Sequence, residues 1–577
     1  MEYDDILHQI GPYGKYQKLL VLAMFVIKIP LSCHFIAQVF LAAKTDHWCA
    51  LPESQAINCT QLRLTSLTDC LEEQKSYSIP YEIDHDGEQV YSSCQRYILG
   101  DEGDDSGQIL NSTDIISCDA GWVFDHSRYK STINENFNLV CDREDLPGIA
   151  QSIWFAGLLA GSLGWGSVGD WIGRRKTFIL TLILVTVSST VTSFVPNFTS
   201  FVAMRFITAA CSYGTVLMTY VLVSEIVGPK KRVVANTILF FSFSTGYVLL
   251  TLLAFLLREW RHLHLAISLP FILCLLLVFV IPESPRWLII KGRFKAATKT
   301  IENIAKVNGT QVPEDLIDKL SDTKQDNKQH SNFPVTQLDL VRTPNIRKKT
   351  LILFVDWFVA NMVYYGLSLS TSALGVDDYL AAFVSGAIEV PSYLFCWYVM
   401  NRYGRRLSLV GFYIFSGLFC LITIFIPFGA TRAAVAMAGK FAISAAFGHI
   451  YIYSLEIFPT IIRSMGMGAS SMVARVSGIL CPFILLLGKY WQPLPLCVFG
   501  GGSIVAGILS LMLPETIGCP LPDTIQDGEN FGKGERFQQC YKRNPGRKNQ
   551  DPSQPPPDYL PLPTLQNTQQ DPIHVDA

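Results

Sequence analysis

Gly166-Ser-Val-Gly-Asp170-Trp-Ile-Gly173-Arg174-Arg175 and, further along, Asn401-Arg-Tyr-Gly404-Arg405-Arg406 are two copies of one signal. Asp170 and Asn401 stand 231 positions apart, as do Arg174 and Arg405. Glu225 followed by Arg232 returns as Glu456 followed by Arg463, again at an offset of 231. Pro282-Glu283 returns as Pro514-Glu515 at an offset of 232. Three motif pairs at one spacing mark an internal repeat of a whole half-chain rather than chance matches.

What lies between the motifs is apolar. Of the 577 residues, 49% are hydrophobic and 16% charged, against about 25% charged in a soluble domain. Stretches long enough to cross a ~30 Å hydrocarbon layer as helices fall near 17–43, 150–169, 177–195, 201–223, 234–256 and 262–281, and again near 350–370, 379–400, 407–427, 433–455, 464–488 and 494–514. A backbone in lipid must satisfy its own hydrogen bonds, so these are helices, and the chain reads as an all-α membrane protein with twelve transmembrane helices in two six-helix halves. The acidic, polar start MEYDDILHQI is not a cleaved signal, so the first span doubles as the membrane signal. A net charge of -2 gives no reason to expect nucleic acid as a partner; the lipid bilayer is the expected environment.

Positive charge sets the orientation. Basic residues follow the second span (Arg174, Arg175, Lys176), the fourth (Lys230, Lys231, Arg232), the sixth (Arg286, Lys291, Arg293, Lys295, Lys299) and the eighth (Arg402, Arg405, Arg406). All fall on one side if both termini are cytosolic in a multi-pass plasma-membrane protein. The organisation is then a cytosolic N-terminus at 1–16, a first half at 17–281, a cytosolic linker at 282–349, a second half at 350–514 and a cytosolic tail at 515–577. The acidic loop at 44–149 lies outside. It carries Cys49, Cys59, Cys70, Cys94, Cys118 and Cys141, an even number that suggests three disulfides with the pairing left open, and the sequons Asn58-Cys-Thr and Asn111-Ser-Thr for glycosylation. Sequons at Asn197 and Asn308 look unusable, the first too close to the membrane and the second cytosolic.

Six spans, a linker and six more in parallel repeat define the major facilitator fold. In the repeated loops the glycines allow a tight turn between close helices, and the carboxylate can cap a helix or pair with an arginine. Asp170 with Arg174 or Arg175, and Glu225 with Arg232, are the expected gate contacts. Gly173, Asn401, Arg405, Arg406, Glu456 and Arg463 are their counterparts. Asn401 replaces the acid, which predicts a weaker latch in the second half. A plain positive-inside anchor is the alternative for any one of these residues.

The motifs resemble the organic cation/carnitine/organic anion transporter family of the major facilitator superfamily. The resemblance covers all but the last fifty or so residues. It rests on Ser117-Cys118-Asp-Ala-Gly-Trp122, Phe137-Asn-Leu-Val-Cys141-Asp, Pro282-Glu-Ser-Pro-Arg-Trp287-Leu, Leu338-Asp-Leu-Val-Arg-Thr-Pro-Asn-Ile-Arg347, Tyr364-Tyr-Gly-Leu-Ser-Leu, Glu389-Val-Pro-Ser-Tyr393, Glu456-Ile-Phe-Pro-Thr-Ile-Ile-Arg463 and Pro520-Leu-Pro-Asp-Thr524. It implies a secondary or facilitative carrier of small organic cations or zwitterions such as carnitine, working by alternating access. Organic anion transport or exchange is the alternative, and a non-transporting receptor on the same fold a more distant one. Cation carriers of this family have an aspartate at about the place of Arg475, and carnitine or anion carriers an arginine. The chain departs from the carnitine-carrying members at Gly214-Thr-Val216.

Ionisable groups inside spans are costly and mark function. Arg475, midway along the eleventh span, can grip a carboxylate with two parallel bonds or be a structural arginine. Glu389 and Lys440 can pair across helices, contact substrate, or both. Arg205 and Asp356 read as anchors nearer span ends, and His34 as a satisfied core histidine. Aromatic faces hold cations: Tyr364 and Tyr365 first, then Tyr247 and Phe447, with Tyr213 and Tyr220 read as packing. Phe155-Ala-Gly157-Leu-Leu-Ala-Gly161 is a small-residue packing seam. In the linker, Arg286–Asn308 reads as one helix. The tail holds Pro556-Pro557-Asp558-Tyr559, a match to the peptide that WW domains bind, which suggests a WW-domain ubiquitin ligase as partner. No nucleotide loop, metal-ligand cluster or nucleophile triad appears, so neither catalysis nor a cofactor is expected. A coupling ion, sodium or proton, is left open.

Overall fold

The computed structural model describes residues 3–52, 67–83, 89–99, 111–312, 336–519 and 522–533. Asn58, Cys59, Pro556, Pro557 and Tyr559 lie outside the described residues, and of Cys70 and Asn111 only the backbone is described. The first half holds spans at Lys15–Ile36, Leu146–Ile172, Arg174–Thr192, Phe198–Ile226 and Pro229–Leu256, with a sixth in two pieces, Trp260–Ser268 and Pro270–Leu277. The second half repeats them at Pro344–Leu369, at Asp378–Ala387 with Glu389–Tyr403, and at Arg405–Ile424, Ala430–Ile457, Arg463–Leu486 and Leu494–Ser510. Eleven of these spans are long and apolar enough to cross a membrane, and Leu494–Ser510 is a shorter apolar helix.

Proline accounts for the two broken spans. Pro270 has no N–H to continue the helix that ends at Ser268, and it opens the next one, where no N–H is needed. Pro391 cannot donate to the carbonyl of Ala387 and crowds it, which interrupts the eighth span at Ile388. Glu389 is thereby placed at the first turn of a new helix in the middle of the bundle.

The sequence repeat is also a repeat of hydrogen bonds. Gly173 has φ of 111° and Gly404 of 92°, the left-handed region that only glycine enters freely. A Cβ on either would lie 2.5 Å from a Glu283 oxygen or 2.6 Å from a Glu515 oxygen. Those carboxylates fill the space instead. Glu283 accepts from the Arg175 amide at 3.0 Å, and Glu515 from the Arg405 and Arg406 amides at 2.8 and 3.1 Å. These are the first N–H groups of the third and ninth spans, which have no partner within their own helices, and the carboxylates also meet the positive dipole ends. Arg174 donates to the Gly169 carbonyl and Arg405 to that of Met400. Arg232 donates through Nε to Val227, and Arg463 likewise to Phe458.

Small residues set the helix spacing. Gly157 lies against the Phe206 carbonyl and Ala209, and Gly161 against Ala210, so the seam between the second and fourth spans is packing, as its spacing suggests. In the loop after the first span, three two-stranded sheets pair His47–Cys49 with Trp122–Phe124, Tyr81–Ile83 with Gln89–Tyr91, and Gln95–Leu99 with Asn111–Ser117. Disulfides join Cys49 to Cys118 and Cys94 to Cys141. Arg96 grips Asp119 through two bonds of 2.7 and 2.9 Å and holds that carboxyl below its usual range.

At the end of the bundle that carries this loop domain, the halves are bonded together. Lys489 reaches Asp145 and, at 3.5 Å, Glu144. Arg128 and Tyr129 of the loop domain each meet Asp378 of the eighth span at 3.3 Å. Phe40 stacks on Tyr379, and Tyr247 packs on Gly386. One linker reading changes. Arg286–Asn308 is not one helix: Pro285–Ile290 and Phe294–Asn308 are separated by a turn in which Gly292 takes φ of 72°. Asn308 is engaged, accepting from the Tyr16 amide at 3.0 Å and donating to Ile10 at 2.9 Å, which ties the N-terminal segment to the linker.

Candidate functional site

The centre of the bundle is built on Glu389, placed by the Pro391 break. Lys440 of the tenth span faces it at 3.4 Å, with 1% and 0% of the two side chains exposed. Tyr364 of the seventh span donates its hydroxyl to one Glu389 oxygen, and Ser244 of the fifth donates to the other at 2.9 Å. Lys440 also bonds the Ser368 hydroxyl and the Tyr364 carbonyl, and its ammonium sits 3.3 Å from the Tyr364 ring centre. Four spans from both halves thus converge on one ion pair. The expected pairing across helices is present, and the serine of the first half makes it an inter-half contact.

Around this pair runs a continuous set of aromatic rings. Phe447 stacks on Tyr364 with centres 5.3 Å apart, and Tyr365 meets Tyr364 edge-on at 5.2 Å. Tyr451 joins Trp357 at 4.4 Å and Phe447 at 5.6 Å, then crosses to Phe240 of the other half at 5.2 Å. Phe240 leads on to Tyr220 and to Tyr393. Tyr220, Phe240, Tyr393, Phe447 and Tyr451 pack on one another yet each keeps part of its surface exposed, and the space these rings face is termed the chamber.

Arg475 is half-buried beside this wall, with its guanidinium 5.3 Å from the Tyr213 ring centre. It forms no ion pair with a carboxylate among the described residues, and its Nε has no acceptor. A guanidinium so placed offers its donors to a carboxylate brought in from outside. Tyr213 therefore leaves the packing class to which its sequence context assigns it: its ring covers the cation. Tyr220 leaves it as well, because its hydroxyl accepts from Lys28. Tyr247 moves the other way. It is fully buried, with its hydroxyl directed at the Ser368 carbonyl at 3.4 Å, and it packs between helices rather than facing the chamber.

Three further readings change. Asp356 is not near a span end: it lies midway along Pro344–Leu369, fully buried, with both oxygens 3.0 Å from the Ser510 hydroxyl. Arg205 is likewise sealed in the interior, stacked 4.0 Å over Trp154 and bonded to the His34 carbonyl. His34 is buried but incompletely satisfied, since its Nδ1 has no partner. One central charge escapes the sequence reading altogether. Lys28 lies in Phe25-Val-Ile-Lys28-Ile-Pro30, inside the first span, 5% exposed. The rule that singles out Lys440, an ionisable residue within an apolar stretch, identifies Lys28 equally well.

At the other end of the bundle Arg174 pairs with Asp170 at 2.8 Å and with Glu225 at 3.4 Å. Glu225 thus meets Arg174, where Arg232 is the partner its spacing suggests. In the second half Arg405 holds both Glu456 oxygens at 3.2 Å, so the loss of the acid at Asn401 is offset by a two-point grip. These three pairs each lie within one half.

The Glu389–Lys440 pair carries a stability prediction. Removing one partner strands the other charge, at a cost of about 3–5 kcal/mol, whereas removing both together costs less. Lys440→Met should lower the melting temperature of the purified protein more than the double change Lys440→Met with Glu389→Gln, as read by thermal denaturation in detergent. Equal melting temperatures would mean that the pair is not coupled.

Residues 124–524 match the family model described as "Sugar (and other) transporter". An organic cation transporter protein of Drosophila melanogaster is 40% identical over 92% of this chain and 95% of its own length. The human organic cation/carnitine transporter 2 is 33% identical over 91% of this chain and 93% of its own. Among solved structures, the partially occluded, inward-open form of the Escherichia coli xylose transporter XylE superposes with a TM-score of 0.58 at 14% identity, covering 88% of this chain and all of that one, which supports the shared fold. With the repeat, the twelve helices and these similarities in hand, the chain belongs to the organic cation/carnitine/organic anion transporters of the major facilitator superfamily.

Proposed function

We propose that this chain is a plasma-membrane carrier, with both termini cytosolic, for small organic ions that bear a carboxylate and an ammonium on one short skeleton. The observation that carries the proposal is Arg475: a guanidinium inside the bundle, accessible from the chamber, forming no ion pair among the described residues. The carboxylate of a zwitterion binds there, and its ammonium lies against the half-buried rings of Phe447 and Tyr451. The named substrates of similar proteins agree in type, since carnitine, in the name of the human relative, joins a quaternary ammonium to a carboxylate. Organic anions are the second reading, favoured by the positive charges of Arg475 and Lys28 in one chamber.

Uptake of labelled carnitine, tetraethylammonium and p-aminohippurate by cells expressing the native protein and Arg475→Asp, with and without sodium, tests the assignment. Arg475→Asp is expected to abolish carnitine uptake, at least tenfold, and to spare or raise that of tetraethylammonium. Unchanged uptake of all three would remove Arg475 from the site, and the sodium arm reads the coupling ion.

Contacts between halves at the loop-domain end, with ion pairs held within each half at the linker end, support a state closed outward and open to the cytosol. The pairs of Asp170, Arg174, Glu225, Arg405 and Glu456 then position the helix ends that meet when the protein turns outward. Lys489→Glu should weaken outer closure and raise labelling of a cysteine placed at the chamber wall by an impermeant thiol reagent, and the reversed pair Asp145→Lys with Lys489→Glu should restore protection. Identical labelling in all three proteins would rule out the latch.

The tail motif Pro556-Pro557-Asp558-Tyr559 serves, in the same proposal, to recruit a WW-domain ubiquitin ligase that sets surface abundance. A WW-domain pull-down of the full-length protein is expected to fail for Tyr559→Ala; retention would discard the motif.

A further inference from the structure

Lys28 is buried to the same degree as Lys440, and it is answered differently. Lys440 faces a carboxylate at 3.4 Å. Lys28 has none among the described residues: its ammonium bonds the Leu239 carbonyl at 2.8 Å and the Tyr220 hydroxyl, and stands 4.5 Å and 5.5 Å from the Tyr220 and Phe240 ring centres. Both bonding partners are neutral. An ammonium has three donors, and these partners engage two. Lipid-depth charge without a counter-charge is among the most expensive arrangements in a membrane protein, and an apolar residue in Val26-Ile-Lys28-Ile would avoid the cost entirely.

The surroundings supply a reason for keeping it. Tyr220 and Phe240, the two rings under Lys28, are half-buried chamber walls, and Phe240 packs on Tyr451 and Tyr393 of the second half. Tyr451 leads through Phe447 to Tyr364 beside Glu389. Lys28 therefore lies just behind the Tyr220 and Phe240 rings on the first-half side, buried, while Arg475 lies half-buried on the second-half side of the same set of rings. Arg205 and Asp356 are sealed away from it, each on its own partner. The charges around the chamber are Lys28, Arg475 and Lys440 against Glu389. Glu389 neutralises Lys440, and two positive charges remain, one from each half.

We propose that Lys28 is a second carboxylate subsite, so that the carrier selects acidic amino compounds, with one amine and two carboxylates, over those with a single carboxylate. The proposal rests on the zwitterion reading above and adds a specificity-determining residue to it. In the bound state one carboxylate takes the Nε donor of Arg475 and the other takes Lys28, while the amine lies against the half-buried rings of Phe447 and Tyr451. The bland alternative is a structural staple, in which Lys28 holds the first, fourth and fifth spans together and touches no substrate.

L-Glutamate and 4-aminobutyrate separate the two, because they share an amine and a terminal carboxylate and differ by the second carboxylate. Each is titrated against the purified full-length protein, with the shift in thermal unfolding as the readout of binding. The native protein is expected to bind L-glutamate at least tenfold more tightly than 4-aminobutyrate. Lys28→Met and Lys28→Gln should both erase that advantage and leave 4-aminobutyrate within twofold, while Lys28→Arg preserves it. Lys28→Gln keeps a donor for the Leu239 carbonyl, so it covers the case in which the methionine variant does not fold. No L-glutamate preference in the native protein, or equal weakening of both ligands in the neutral variants, overturns the subsite. Arg475→Met tests the underlying reading separately: it should weaken both ligands, and if it weakens neither while Lys28→Gln still removes the preference, the zwitterion reading fails and the Lys28 subsite stands.

Discussion

A charge inside a bundle of apolar helices has to be answered locally, because lipid cannot solvate it. How each charge is answered divides this interior into closed and open regions. Glu389 is fully engaged by Lys440, Tyr364 and Ser244. Asp356 meets a serine hydroxyl, and Arg205 the face of a tryptophan. These groups hold helices together. Lys28 and Arg475 are answered only by tyrosine rings, a hydroxyl and a carbonyl. The aromatic wall between them keeps part of its surface exposed, as the proposed substrate site requires.

The two halves share their ends and differ in their centres. At the ends the same bonds recur: a glycine in the left-handed region, a glutamate closing the next helix, an arginine returning to a carbonyl. Such duplication suits parts that must pass through matching positions as the halves rock. In the centre the second half supplies Glu389, Lys440 and Arg475, and the first half supplies Ser244, Tyr213, Tyr220 and Lys28. Under the proposed function, recognition is shared between the halves.

Much of this was legible from residue types in order. Span positions follow from apolar length, and the repeat from motif spacing, because both are local or periodic properties of the chain. The Glu389–Lys440 pair was legible because charges are rare in spans. What was not legible depends on which faces meet. Glu225 turns to Arg174 rather than to Arg232, and Tyr213 covers Arg475, because helix rotation within the bundle decides the neighbour, and a single sequence does not encode that rotation visibly. Glu283 and Glu515 were visible as repeated letters, but their task of closing helix starts appears only once the sixth and twelfth spans are seen to end beside the third and ninth.

The loop domain belongs by connectivity to the first half, yet Arg128 and Tyr129 fasten it to Asp378 of the second. Two disulfides cross-link the described part of that domain, and one of them, Cys94–Cys141, is anchored at the threshold of the second span. A cross-linked body attached to one arm and clasped to the other can work as a lever, with force on it delivered to the joint between the halves. Anything that binds this domain and pulls on it would load the Arg128–Asp378 clasp, and through it the way the two halves meet.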